Sequence, residues 1–308
     1  MPIFDLLCAP YQEHVRYFSC TVPPERDGTE AGNFLRHGLG FSAALIKRAK
    51  HLADGIAIDG QRITTRTALR AGQLLQVRLS DHERRSDIFP EDGPLDIVYE
   101  DEDLLVLNKP PRMTVHPDPL HNSGTLGNFL LAYYDRHGIP ADFHPVHRLD
   151  RGTSGVMVVA KHAYAQELLR RALHSGDFQR SYLAVCDGCP PAQAGRIDLP
   201  IAHSMDSMIR QEIRPDGAPA CTEYTVLRKT AERSLVRLVL QTGRTHQIRV
   251  HMAAIGCPLT GDFLYGTENQ ALISRPALHS HTLSFRHPLS RQQLSFEVPL
   301  PEDMAHLL

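Results

Sequence analysis

From residue 95 onward, short apolar runs of strand length follow one another along the chain, and only three helical stretches interrupt them. The runs at 96–100 and 104–110 are separated by three acidic residues, which is typical of a hairpin. The helical stretches are 125–138, 163–176 and 245–256. Because strands and helices do not alternate regularly and no G-x-G-x-x-G fingerprint is present, the pattern predicts an α+β fold with a mixed, mainly antiparallel sheet.

Length and composition limit the classes of protein to which the chain can belong. A length of 308 residues suggests about two domains. No apolar run approaches the ~18 residues that a membrane span needs, and the first residues lack the pattern of a signal peptide. Six cysteines without such a signal favour reduced thiols in the cytoplasm. A net charge of −2 argues against a generally basic nucleic-acid coat protein, but it allows a local basic face.

A charged stretch that ends in proline and glycine divides the chain. Residues 81–94 have the composition of a linker that is either mobile or held along the surface. We expect an N-terminal unit over residues 1–80, with an opening strand and a small α/β core at 33–80. The α+β domain is then expected over residues 95–308.

The N-terminal unit contains its own helix and hairpin signals. Apolar positions at helical spacing predict a helix over 41–55, with Ser42 as its N-cap and Gly55 at its end. Two short apolar runs flank Asp59-Gly60, which is a strong signal for a two-residue hairpin turn. This order of helix, hairpin and closing strand resembles the αL-type RNA-binding domain of several RNA-modifying enzymes.

The charge of this unit differs from that of the whole chain. Residues 33–80 hold eight lysines and arginines but only two acids. A solvated helix face is one interpretation, and a surface that binds RNA phosphates is the other. The candidate RNA-binding residues of the predicted helix are Lys47, Arg48 and Lys50.

The stretch HRLDRGTSG (147–155) places one carboxylate, Asp150, between two arginines and before an apolar run. The glycines allow a tight turn that can approach a ligand closely, and the acid needs a cationic partner if it is buried. QTGRTHQIRVH (241–251) offers Arg249 as that partner, which would favour the ionised acid and hold its orientation. A salt-bridged surface turn and a catalytic carboxylate are the two interpretations.

Four strings occur in one order between residues 95 and 300: HRLDRGTSG, RSYLAVCDG, LQTGRTHQIRVHMAAIGCPLTGDFLYG and LHSHTLSFRHP. Together they resemble the successive motifs of the RluA-type pseudouridine synthase family. The resemblance implies the pseudouridine synthase fold and the conversion of uridine to pseudouridine in structured RNA, without a cofactor or a metal. It also implies a large-subunit ribosomal RNA substrate, since family members with an αL-type module mostly modify that RNA.

The resemblance also implies roles for individual residues. Asp150 matches the essential aspartate, and Arg249 matches the arginine that pairs with it. Arg148 matches the arginine that enters the RNA stack when the target base flips out. Tyr182 matches the tyrosine that packs on the uracil and is a candidate base, and Ile248 matches the apolar residue beside it.

Other positions complete the predictions. Arg244 and His246, at the start of the predicted helix 245–256, are further candidates for RNA binding, and Thr245 is the predicted N-cap of that helix. Arg180 stands where the family usually has lysine. We expect a monomeric enzyme.

Several residues also have simpler interpretations. Taken alone, Tyr182 would be a core tyrosine, and the pair Asp262 and Tyr265 would belong to a structural turn. His144, His147 and Asp150 have a spacing that could suggest a metal site, although prolines nearby disfavour a regular helix there. Two other functions therefore stay open, a non-catalytic RNA-binding protein and a metal-dependent phosphoesterase.

Overall fold

The structure, a computed structural model, describes residues 15–118 and 121–308. Its N-terminal part is a four-stranded antiparallel sheet with strand order β1-β4-β2-β3, together with two short helices. The elements are β1 (Tyr17–Thr21), α1 (Ala31–Asn33), α2 (Ala43–Ala49), β2 (Ile56–Ile58), β3 (Gln61–Arg62) and β4 (Leu74–Arg78).

The local signals of this part were only partly read correctly from the sequence. Ser42 caps α2 as predicted, since its hydroxyl accepts a hydrogen bond from the Leu45 amide at 3.3 Å. Asp59 and Gly60 both have positive φ and join β2 to β3, as a two-residue hairpin turn requires. The helix itself ends at Ala49 and not near Gly55. Gly55 instead packs on the Ala49 carbonyl, where a Cβ would lie 1.8 Å from the oxygen.

The larger sheet has ten strands in the order β10-β13-β14-β9-β15-β8-β6-β5, with β16 beside β15 and β7 beside β8. Only the β8–β15 pair is parallel among the described strands, which confirms the predicted mixed, mainly antiparallel sheet. The hairpin β11 (Ile201–His203) and β12 (Gln211–Ile213) stands apart from it. The strands of the sheet are β5 (Ile97–Glu100), β6 (Leu104–Lys109), β7 (His144–Pro145), β8 (Ser154–Ala160), β9 (Phe178–Asp187), β10 (Ala194–Asp198), β13 (Cys221–Lys229), β14 (Arg233–Leu240), β15 (Leu278–Arg286) and β16 (Gln293–Glu297).

Helices cover both faces of this sheet, and β8 shows why. All seven residues of β8 are buried, and its alternate side chains point to opposite faces. Met157 belongs to the core that contains α3 and α5, whereas Val158 belongs to the core that contains α4. The helices are α3 (Leu126–Arg136), α4 (Ala163–Ser175), α5 (Gln247–Ala254) and the short C-terminal α6 (Glu302–Ala305).

Two of the three predicted helices of this domain have the expected ends. Thr125 and Asn128 form a capping box at the start of α3, and Gly176 ends α4 in the left-handed conformation. The prediction of Thr245 as the N-cap of α5 is wrong. His246 precedes the helix with a φ of +56°, and the Gln247 side chain instead accepts a hydrogen bond from the Arg244 amide at 2.9 Å.

The N-terminal part packs directly on the larger sheet and its helices. Phe41 stacks on Tyr164 of α4 with a centroid distance of 4.0 Å, and the Tyr164 hydroxyl donates to the Leu39 carbonyl. The connecting stretch follows the surface, since the amides of Arg85 and Ser86 both donate to the Asp142 carboxylate. Within the described residues, no helix combines the length and apolar character that crossing a membrane would require.

Candidate active site

Asp150 lies on the turn that leads into β8, beside the one parallel strand pair among the described residues. The Thr153 amide donates to the Asp150 carbonyl at 3.0 Å and closes this turn. Gly155 then pairs with Ser280 of β15 at a φ of +113°. A Cβ at this position would lie 2.1 Å from the Ser280 carbonyl oxygen, so only glycine allows the two backbones to approach. The glycine thereby holds Asp150 at the mouth of the parallel pair.

Asp150 opens into a cleft of about 280 Å³ that is strongly cationic. Its carboxylate is the one acidic group among the lining residues. Five arginines line the same cleft, from the Asp150 turn, α4, β9, the loop after β14 and α5. These arginines are Arg148, Arg170, Arg180, Arg244 and Arg249. A cleft with this excess of positive charge is suited to a polyanion.

The expected pairing of Arg249 with Asp150 is present at the limit of ion-pair distance, and a second carboxylate lies closer to Arg249. Arg249 forms two 2.7 Å hydrogen bonds with Asp262, whose side chain is fully buried. Its Nη1 atom lies 4.0 Å from Asp150 Oδ2. Burial acts to lower the pKa of Arg249, but the hydrogen bonds and charge of Asp262 outweigh it and raise that pKa. Asp262 therefore neutralises Arg249, and Asp150 is a second, more distant carboxylate.

His246 and Tyr265 form a hydrogen-bonded pair, and His246 lies near Asp150. The Tyr265 hydroxyl accepts from the Gln211 amide at 2.8 Å and lies 2.9 Å from His246 Nδ1, so its own proton can be donated to that nitrogen. His246 Nε2 then carries the ring proton and lies 3.8 Å from Asp150 Oδ2. Burial lowers the pKa of His246, against the opposing effect of Asp150, which favours this neutral form. His246 itself has a left-handed backbone conformation, with a φ of +56°.

Tyr182 and Ile248 form the apolar wall of the cleft. Tyr182 lies on β9, paired with Leu238 and Ser280, and both wall side chains are buried. Burial raises the pKa of the Tyr182 phenol, and Asp150 raises it further, although Arg180 and Ser280 act in the opposite direction. The phenol is therefore neutral near pH 7, and its flat, apolar ring is the part that it offers to a ligand.

Known proteins that resemble the chain decide its family. The family model of RNA pseudouridylate synthases matches residues 103–254. The relative named uncharacterized RNA pseudouridine synthase YjbO, from Bacillus subtilis strain 168, is 42% identical over 270 residues, which are 88% of this chain and 95% of the relative. The chain belongs to the RNA pseudouridine synthase family. Its activity is that of an isomerase, and the resemblance inferred from the four sequence strings is confirmed.

Two further comparisons agree with the family. Ribosomal large subunit pseudouridine synthase D of Vibrio cholerae serotype O1 is 40% identical over 284 residues, covering 87% of this chain and 86% of the relative. The structure of human RNA pseudouridylate synthase domain containing 1 superposes with a TM-score of 0.56 and 28% identity, covering 68% of this chain and 86% of the human one. The pseudouridine synthase fold predicted from the sequence is therefore confirmed as well.

Seven of the predicted site residues line the cleft, and the three predicted on the N-terminal helix do not. Asp150, Tyr182, Arg249, Arg148, Ile248, Arg244 and His246 all line the cleft. Arg148 and Arg244 are exposed at its mouth, and Arg244 Nε donates to the Pro219 carbonyl. Lys47, Arg48 and Lys50 belong to α2 and its C-cap and do not line the cleft. Arg48 lies 3.7 Å from Asp81, while the two lysines are exposed.

The histidines that suggested a metal site have other partners in the synthase. His144 Nε2 lies 2.6 Å from Asp81, and His147 Nε2 accepts from the Val158 amide at 3.4 Å. Within the described residues, one group of three possible ligands is close enough to share an ion, and it lies away from the cleft. This group is Asp101, Asp103 and His287. Arg16 and His162 already bind its Asp103 carboxylate, so it forms a charge network between the two parts of the chain.

Sequence reasoning missed three residues of the site. Asp262 and Tyr265 were assigned to a structural turn, yet they hold Arg249 and His246. Arg170 of α4 was assigned no role, yet it lines the cleft and forms no hydrogen bond or ion pair with a described residue. The GDFLYG string contained the first two, but their partners depend on how the loop after α5 folds back over the helix.

Proposed function

We propose that this synthase converts uridine to pseudouridine in large-subunit ribosomal RNA, with Asp150 as the essential carboxylate and with no cofactor. The observation that carries the proposal is the position of Asp150 as the one acid in a cleft lined by five arginines. The arginines suit the RNA backbone, and the lone carboxylate suits chemistry on one nucleotide. The relatives named ribosomal large subunit pseudouridine synthase D support this choice of RNA.

The reaction exchanges one bond of the uridine for another. The bond between the sugar and N1 of uracil breaks, the ring turns, and a bond from the sugar to C5 forms. C5 loses a proton and N1 gains one, so atoms and electrons balance without a co-reactant. The target base must leave the RNA stack before this chemistry can occur, which costs a few kcal/mol.

Each side chain of the cleft has a place in this proposal. Arg148 is exposed at the mouth, where its planar guanidinium can fill the space that the flipped base leaves. Tyr182 and Ile248 offer the apolar wall against which the detached uracil turns without escaping. Arg249 and His246 lie 4.0 Å and 3.8 Å from Asp150 Oδ2, where they restrict the orientation of its carboxylate.

The N-terminal unit completes the proposal as a docking surface for RNA. Lys47 and Lys50 are exposed on and just after α2 and form no ion pair with a described residue. Such side chains can contact phosphates without first breaking a salt bridge. We further propose that the enzyme acts as a monomer in the cytoplasm, in keeping with five described cysteines that are all free thiols.

Replacement of Asp150 by asparagine tests the proposed function. The substitution Asp150→Asn keeps the size of the side chain but removes its charge, so pseudouridine formation should be lost while RNA binding survives. Pseudouridines would be mapped in total RNA from cells with the wild-type gene, the variant gene and no gene. Modification by the variant would disprove the role of Asp150. Hydrolysis of a phosphoester by the purified wild type that stops in EDTA would instead support the metal-dependent phosphoesterase.

A further inference from the structure

Arg180 is a buried cation for which the protein provides no anionic partner. It lies on β9 two residues before Tyr182, so both side chains point to the same face of the sheet and line the cleft. The residue is 8% exposed, and its Nε atom is buried without a hydrogen-bond partner. Among the described residues, no carboxylate lies within 4.0 Å of its guanidinium nitrogens.

The other buried arginines of the described chain show what a structural arginine looks like in this fold. Arg275 forms two hydrogen bonds with Asp303, at 2.7 and 2.9 Å, and also donates to the carbonyls of Gly152 and Leu278. Arg249 has the equivalent pair with Asp262. A buried charge is costly unless it is paired, and Arg180 departs from this pattern.

The neighbours of Arg180 add no negative charge. His147 is fully buried, and burial, with a further contribution from Arg180, lowers its pKa to about 3, so it is neutral near pH 7. The Tyr182 phenol is neutral as well, because burial raises its pKa. Asp150 is the one acid that lines the same cleft, and it forms no ion pair with Arg180, so a bound anion would supply the first close counter-charge.

We propose that Arg180 binds a phosphate group of the RNA beside the target nucleotide, which rests on the proposed function. The guanidinium lines the cleft next to Gly243, where a Cβ would lie 3.3 Å from Nη2. Because Gly243 has no side chain, nothing from this residue crowds the two Nη atoms, and a guanidinium group can bind two phosphate oxygens at once. The exposed arginines at the same mouth, Arg148 and Arg244, would continue the path of the RNA backbone.

A comparison of two substitutions tests whether Arg180 is unpaired in the free protein. Arg180→Met removes a charge without a partner and should leave Tm unchanged or raise it by about 2–4 °C. Arg275→Met, the matched control, removes a paired charge and should lower Tm by more than about 4 °C. A decrease in Tm for Arg180→Met as large as that of the control would overturn the inference, because it would reveal a structural partner.

The salt dependence of RNA binding tests what Arg180 binds. With in vitro transcribed large-subunit ribosomal RNA as the probe, Arg180→Met should weaken binding about tenfold at low salt. The slope of the logarithm of the RNA-binding constant against the logarithm of the salt concentration should decrease in magnitude by about 0.7–0.9. This is the change expected for the loss of one phosphate contact. The conservative variant Arg180→Lys keeps the charge and should restore the slope.

The remaining outcomes separate this inference from the proposed function. Unchanged affinity and slope for Arg180→Met would overturn the phosphate contact. Weaker binding with an unchanged slope would also overturn it, in favour of an uncharged acceptor such as a uracil carbonyl. If wild-type protein fails to bind the probe, the proposed RNA is wrong, and the comparison of Tm values still decides whether Arg180 lacks a partner in the protein.

Discussion

Arg249 binds Asp262 through two parallel hydrogen bonds of 2.7 Å, and this pair turns the remaining Nη1 atom of the guanidinium toward Asp150. The Asp262 carboxylate is itself held by the amides of Leu264 and Tyr265. The rigid partner of Arg249 is thus a buried acid behind the cleft. Asp150 therefore remains available to a substrate, although the positive charge of Arg249 lies 4.0 Å from its carboxylate.

The substitution Asp262→Asn should reduce catalysis and stability together. It leaves Arg249 buried without its counter-charge, which should cost about 3–5 kcal/mol in the free energy of unfolding. Pseudouridine formation, measured below the lowered Tm, should slow more than RNA binding weakens. Asp216→Asn is the matched control, because Asp216 also pairs bidentately with an arginine, Arg214, but at the surface. Normal turnover in Asp262→Asn would show that the pair does not position Arg249.

Removal of the Tyr265 hydroxyl should change the pH dependence of the reaction. When the hydroxyl donates to His246 Nδ1 it favours the neutral imidazole, so Tyr265→Phe should shift the pKa of His246 upward. The acid limb of the pH–rate profile should then move to higher pH. The measurement is kcat/KM across pH 5–8, with Tyr17→Phe in the N-terminal unit as the control. If the acid limb does not move, the protonation of His246 does not control kcat/KM.

Two neighbouring arginines of α4 should differ in their importance for RNA binding. Arg170 lines both the active-site cleft and a groove between α2 and α4, without an ion-pair partner among the described residues. Arg171 lines the same groove but pairs with Glu167. Arg170→Gln should therefore weaken RNA binding and reduce its salt slope by about 0.7–0.9, whereas Arg171→Gln should change both less. Equal effects of the two substitutions on RNA binding would argue against a contact between Arg170 and the RNA backbone.

The stability of the enzyme should fall as the pH decreases below about 6.5. Burial lowers the pKa values of His147 to about 3 and of His279 to about 4, so the folded protein keeps both neutral. Their contribution is complete above the unfolded pKa of about 6.5 and is lost as the pH falls toward the folded values. Between pH 7.5 and 5 each should cost about 2 kcal/mol, measured by urea unfolding.

A histidine substitution checks the origin of that loss. His147→Gln should lose about 2 kcal/mol less than the wild type over the same pH interval. His137→Gln, which changes an exposed histidine at the end of α3, should lose as much as the wild type. An identical loss in wild type and His147→Gln would place the sensitivity to acid elsewhere.

Much of the fold could be predicted because its signals are local. The unbroken apolar run of β8 and the glycine that ends α4 at Gly176 depend on residues a few positions apart, so the local sequence alone indicates them. The start of α5 could not be predicted in this way. Thr245 has the right chemistry for an N-cap, but Gln247 takes the amide of Arg244, and His246 accepts a left-handed backbone.

By itself, the sequence determined the family, the α+β fold and the turn that carries Asp150, because long motif strings and local turn chemistry specify them. Only the tertiary structure decided which charges are paired. Arg249 meets Asp262 after the loop folds back over α5, and Arg180 meets no acid although it lies in the same cleft. Ion pairing depends on distances of a few ångströms between residues far apart in the chain, and spacing along a sequence does not contain them.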